Sequence, residues 1–180
     1  SALADVAGPL PAVSAHLEKI IPHGAGLGGG SSDAAAVLTA ANALLHLGLP
    51  PVRLAETAAS IGSDVPFFLD GGAADCRGEI VVPVPDFRPK LPILLVKPPF
   101  PVPTPWAYQQ WRDSEEIAGI SYAPQPFPWG SLVNDLERPV FAKHLVLADL
   151  KMSLLQRPEV PGTLMSGSGS TTFALLKDDA

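Results

Sequence analysis

Cysteine is nearly absent from this chain. One residue, Cys76, in 180 excludes an internal disulfide, and no second thiol stands at metal-ligand spacing. A reducing compartment is the default for such a sequence. Positive charge is also sparse. Lys and Arg number 12 against 18 Asp and Glu, a formal net charge of -6, so there is no basic footprint for a phosphate backbone and nucleic acid is not an expected partner. The longest nearly apolar stretches, 34–47 and 93–96, fall short of the roughly 20 residues that cross a bilayer. The first residues show no basic n-region followed by an apolar h-region. No membrane association is expected, and the cytoplasm is the expected address. His16, His23, His46 and His144 are the only histidines, none at H-x-x-x-H spacing, so no metal ligands are assigned.

What is present argues for a folded domain. Hydrophobic residues make up 47% and charged residues 17%, the reverse of the disorder signature, and 180 residues suit one domain or two small ones. Proline is in excess at 21 residues, twelve of them between Pro83 and Pro128. The chain opens without Met and stops soon after an apolar run, which leads to the expectation of a fragment.

Val13–Ile21 alternates apolar and polar residues and predicts a half-buried strand ending at Pro22. An alanine-rich helix follows Ser31-Ser32-Asp33, with Val37, Leu38, Ala41, Leu44 and Leu45 as its stripe and Gly48 as its stop. A second helix over Val52–Ile61 ends at Gly62. Glu79–Val84 and Ile93–Val96 read as strands, the latter buried on both faces because its aliphatic run is unbroken. A boundary is placed at Pro83–Lys90. Pro98–Pro105 is too rich in proline for a helix interior or a central strand. Asn134–Arg157 returns to helix, interrupted near Pro139, and Gly167-Ser168-Gly169-Ser170 leads into a strand over Thr171–Leu176.

The chemistry concentrates at Gly24–Ser32. A glycine-rich turn that opens a helix forms an anion site, because backbone can approach a phosphate closely while the first-turn N–H groups and the helix dipole point at it. Gly24, Gly26 and Gly29 satisfy G-x-G-x-x-G, but the acidic residue expected about 20 residues on is missing. Read as a Walker A loop, the segment has Gly30 where lysine belongs. A packing hinge is the alternative reading.

The run Pro22-His23-Gly24-Ala25-Gly26-Leu27-Gly28-Gly29-Gly30-Ser31-Ser32-Asp33-Ala34-Ala35 closely resembles the phosphate-binding motif of the GHMP kinases. Gly62-Ser63-Asp64-Val65-Pro66-Phe67-Phe68, Pro103-Thr104-Pro105, Asn134-Asp135-Leu136-Glu137 and Met165-Ser166-Gly167-Ser168-Gly169-Ser170 resemble further motifs in the same order. They are most like those of the branch acting on 4-diphosphocytidyl-2-C-methyl-D-erythritol. The resemblance implies an α+β, two-domain GHMP kinase fold: an ATP-binding domain over 1–90, a partial ribosomal protein S5 domain 2-like fold, and a ferredoxin-like carboxy-terminal domain over 91–180, also partial. It implies ATP and Mg2+ as cofactors and phosphorylation of that small-molecule substrate's 2-hydroxyl in non-mevalonate isoprenoid synthesis.

By the same resemblance, Gly24 to Ser32 cradle the ATP phosphates, Pro22 and His23 also bind that cofactor, and Asp64 is the general base. Thr104, Tyr108, Gly167 and Gly169 contact substrate, with Tyr108 stacking on the cytosine. Each position has a plainer alternative. Asp64 suits a helix N-cap before Pro66, Tyr108 suits a core cover beside Trp106 and Trp111, and Gly167 and Gly169 suit an ordinary hairpin. Ser31 and Ser32 serve either as caps or as phosphate or magnesium ligands. One departure is clear. The family's early strand, carrying a lysine that pairs with the catalytic aspartate, has no counterpart, and Lys19 does not match its motif. Two other readings stay open: a GHMP kinase acting on homoserine or mevalonate, and a non-catalytic nucleotide-binding fragment.

Overall fold

The computed structural model describes residues 2–70, 73–75, 80–82 and 91–177. Cys76 and the boundary expected at Pro83–Lys90 lie outside the described residues. The chain divides into two compact units, 1–20 with 28–88 and 21–27 with 89–180.

The first unit holds α1 (Ala2–Ala7), α2 (Gly29–Leu44), α3 (Pro51–Ile61), α4 (Phe67–Asp70) and an antiparallel pair, β1 (Ala73–Asp75) with β2 (Ile80–Val82). Its core gathers Leu3, Ala35, Leu38, Ala58 and Val65, with Ala34, Ala41, Leu47 and Leu69 packed around them. The buried face of α2 is therefore narrower than its hydrophobic stripe predicts, since Val37 and Leu44 are exposed. Gly48 does not end α2. His46 takes the left-handed turn at φ 51°, with Leu47 N–H donating to Asn42 O and His46 N–H to Ala43 O, the paired bonds of a Schellman ending. The Asn42 side chain then holds Leu49 through both its N–H and C=O. The ending of α3 at Gly62 follows the sequence.

Val13–Ile21 is no strand. It runs irregular and exposed, with Val13, Leu17 and Ile20 facing solvent. Alternation specifies a face, but a strand also needs a ladder partner, and no described strand pairs with this segment.

In the second unit, β3 (Ile93–Val96), β7 (Thr172–Leu175) and β6 (Gly162–Met165) form an antiparallel sheet in the order β3-β7-β6. Leu95 stands opposite Phe173, and Phe173 opposite Leu164. β3 is an edge strand among the described residues, and Ile93, Leu94 and Leu95 are exposed, so the burial expected on both its faces does not occur. An aliphatic run reads the same whether or not its faces are covered. The helices are α5 (Thr104–Trp111), α6 (Glu137–Lys143) and α7 (Leu145–Leu155), and β4 (Gln125–Phe127) pairs with β5 (Gly130–Leu132) as a short ribbon. The expected interruption near Pro139 falls instead at His144. Pro139 sits in the first turn of α6, where its missing N–H would have no helical acceptor. Pro103 and Pro105 likewise start α5. Phe141, Val140, Leu147, Ala148, Val102 and Met165 make the core.

Candidate functional site

The glycine run is held on two supports. Its first half, Gly24–Leu27, packs within the second unit. Thr171 N–H donates to Ala25 O at 3.1 Å, Val102 N–H to Gly24 O at 3.4 Å and Ser166 Oγ to Gly26 O at 2.7 Å. Gly26 has φ 74°, and a Cβ there would stand 2.0 Å from the carbonyl oxygen of Ser166, so this turn tolerates only glycine. Ala25 is buried, whereas Pro22 and His23 are exposed. Gly167 and Gly169, both at positive φ, belong to the β6-β7 hairpin loop that lies directly against this half of the run.

The second half opens α2 in the first unit. Gly28, at φ 66°, is the N-cap, and no side chain caps the helix. Ser32 N–H returns to Gly28 O, while its hydroxyl donates to Gly29 O at 3.0 Å. Ser31 is half-buried, and its hydroxyl has no hydrogen-bond partner among the described residues. Gly30 faces open space. The first-turn amides of α2 therefore carry the uncompensated positive end of the helix dipole. Lys19 forms an ion pair with Asp33, just beyond the first turn of α2.

Asp64 lies in the turn between α3 and α4 and is exposed. Its carboxylate accepts a hydrogen bond from the Ser63 hydroxyl at 3.3 Å and from no backbone N–H among the described residues. It does not cap α4, which starts three residues later; Phe68 and Leu69 N–H donate to Val65 and Pro66 carbonyls instead.

Thr104 opens α5, and its hydroxyl meets Ser168 Oγ at 2.7 Å. Tyr108, one helical turn on, is 63% exposed and is therefore no core cover. Trp106 takes that place, packed on the core under the Lys143 ammonium, which lies 4.0 Å from its ring centroid. Tyr108 and Trp111 line a cleft of about 540 Å³ together with Asn134, Asp135, Ser166 and Gly167. The aromatic wall offers a face on which a flat ring can stack, and Asn134 and Asp135 supply polar edges.

Several contacts escaped the sequence. Glu137 and Lys151 form an ion pair with both side chains 1% exposed, and Glu137 Oε1 also accepts Met165 N–H at 2.8 Å. Burial pushes the Glu137 carboxyl above its ordinary value, opposed by the Lys151 hydrogen bond, the Met165 amide and the Lys151 charge. A single lysine within the apolar run of α7 was the available signal. The Ser166 and Thr171 links to the glycine run join residues at least 140 positions apart, and nothing local marks them.

Comparison with known proteins places these motifs. The family model described as "GHMP kinases N terminal domain" matches residues 1–72. A Methylacidiphilum infernorum 4-diphosphocytidyl-2-C-methyl-D-erythritol kinase is 46% identical over 91% of this chain and 57% of its own. The Geobacter metallireducens protein of the same name is 39% identical over 99% of this chain and 65% of its own. A crystal structure of 4-(cytidine 5'-diphospho)-2C-methyl-D-erythritol kinase superposes with a TM-score of 0.64 at 34% identity, covering 88% of this chain and 59% of that one. The chain spans about three fifths of the length of the relatives it matches. These matches cover nearly the whole chain, and with its mixed helix and sheet they show that it has the α+β fold of the GHMP kinases.

Proposed function

We propose that this chain carries sites of an ATP-dependent kinase that phosphorylates the 2-hydroxyl of 4-diphosphocytidyl-2-C-methyl-D-erythritol, a step of non-mevalonate isoprenoid synthesis. The relatives' names support the substrate. The observation that carries the reading is the glycine run itself: left-handed glycines at Gly24, Gly26 and Gly28 leading into a helix whose first amides have no side-chain cap. That arrangement offers N–H groups and positive potential to a polyphosphate and admits no side chain between them. Pro22 and His23 flank the nucleotide, and Gly24–Ser32 hold its phosphates.

Phosphoryl transfer needs positioning and charge neutralisation more than covalent help. In the reaction proposed, the substrate hydroxyl gives its proton to the Asp64 carboxylate and its oxygen attacks the γ-phosphorus of ATP, whose bond to the β-bridging oxygen breaks to release ADP. The exposed, uncapped Asp64 carboxylate is available as a proton acceptor. Ser31 fits Mg2+ better than Ser32, whose hydroxyl is already turned onto Gly29 O; Ser31 would hold the ion together with the phosphates, and the ion would neutralise their charge. Thr104, Gly167 and Gly169 border the alcohol, and Tyr108 stacks on its cytosine. We take 1–90 and 91–180 as the two domains of this kinase.

Two expected results test the reading. Gly26→Ala forces a Cβ onto the Ser166 carbonyl and should raise the ATP dissociation constant at least tenfold, about 1.4 kcal/mol, as measured by calorimetry. Unchanged affinity would remove the turn from the nucleotide site. Tyr108→Ala should cost about 1 to 3 kcal/mol of substrate binding, seen in KM for the cytidylyl substrate and not for ATP, with Tyr108→Phe near wild type. Substrate profiling against homoserine and mevalonate checks the choice of alcohol.

A further inference from the structure

Beyond the cleft edge that Asn134 and Asp135 supply, the motif Asn134-Asp135-Leu136-Glu137 holds one short stretch of backbone from several directions, through the side chains of Asn134 and Glu137. Asn134 Nδ2 donates to Met165 O at 2.7 Å and to Gly167 O at 2.8 Å, while its Oδ1 accepts Leu136 N–H at 3.0 Å. This network fixes the amide's orientation, since a flipped group would set its oxygen against two carbonyls. Met165 N–H is meanwhile held by Glu137. The residue between the two clamped carbonyls is Ser166, whose hydroxyl bonds Gly26 O and whose own carbonyl blocks any side chain at Gly26. Its loop also accepts and donates across its own base, through Ser166 N–H to Thr171 O and Gly169 N–H to Ser166 O.

We propose that Asn134 is a positioning residue for the nucleotide turn, acting through Ser166 to set where Gly26 and Ala25 stand. This deepens the kinase reading and rests on it for the identity of the ligand. Only an amide suits the role. It needs two donors for the two carbonyls and one acceptor for Leu136 N–H, and a carboxylate of the same shape keeps the acceptor but loses both donors.

The test compares Asn134→Asp, Ser166→Ala and the double variant in the complete chain, by ATP calorimetry and by amide hydrogen exchange without ligand. Asn134→Asp should weaken ATP at least tenfold and speed exchange of the Thr171 and Gly169 amides at least tenfold. Exchange within α7 should stay within about threefold. Uniformly faster exchange would mark a merely structural role and overturn the proposal. Ser166→Ala should weaken ATP by itself but add less than about twofold in the Asn134→Asp background, because both act along one path; full additivity overturns it. Should Asn134→Asp fail to fold, Ser166→Ala still decides, since unchanged ATP affinity and Thr171 exchange in that variant break the path. A wild-type chain that fails to bind ATP strikes the kinase reading instead, and the ligand-free exchange still decides whether Asn134 positions the turn.

Discussion

Asp64→Asn is expected to lower kcat on the order of 10²- to 10⁴-fold while leaving the melting temperature and ATP affinity near wild type. The Asp64 carboxylate has little structural work in the folded chain. It is exposed and accepts one hydrogen bond, from Ser63, and an amide oxygen can accept the same bond. No capping bond to α4 is lost, because none is made. An amide cannot take a proton from an attacking hydroxyl, so stability and catalysis should separate. The measurement is steady-state phosphorylation of 4-diphosphocytidyl-2-C-methyl-D-erythritol beside a thermal melt. A kcat within about threefold of wild type, roughly 0.65 kcal/mol of barrier, would remove Asp64 from the mechanism.

Lys151→Met should cost about 3–5 kcal/mol of stability at neutral pH, because it strands the Glu137 carboxylate in the core without its partner. The pH dependence follows from the direction of the shift. Burial already raises the Glu137 carboxyl above its ordinary value, and Lys151 supplies two of the three influences that oppose this, so the substitution raises it further. A carboxyl whose folded-state value exceeds its unfolded value binds protons more readily when folded. Stability therefore falls as pH rises through the window between the two values and recovers on acidification. Chemical denaturation at about pH 5 and about pH 7.5 should show the smaller loss at the lower pH. Adding Glu137→Gln should restore part of the loss at neutral pH. An equal loss at both pH values would mean that the strand-to-helix contact at Met165, and not a buried charge, is what the substitution damages.

The glycine run, the helices α2 and α3, the stop at Gly62, and the positions of β3 and β7 could all be read along the chain. Each is written in neighbouring residues: glycines where the backbone must turn left-handed, a helical period in apolar residues, β-branched runs. The expectation of phosphate chemistry at Gly24–Ser32 has the same source, since it rests on local backbone. Other features belong to the tertiary structure, because they depend on residues far apart in sequence. Val13–Ile21 carries a strand's alternation but pairs with no described strand, and Ile93–Val96 carries a buried strand's composition on an exposed edge. The left-handed stop after α2 went to His46 and not Gly48 because of where Asn42 and Leu49 meet. Tyr108 and Trp106 are equivalent aromatic neighbours on paper, and only the packing of α5 sends one to the core and the other to the cleft. Glu137 and Lys151 are ordinary surface-type residues in sequence, and they become a core pair because α6 and α7 bring them together where water is excluded.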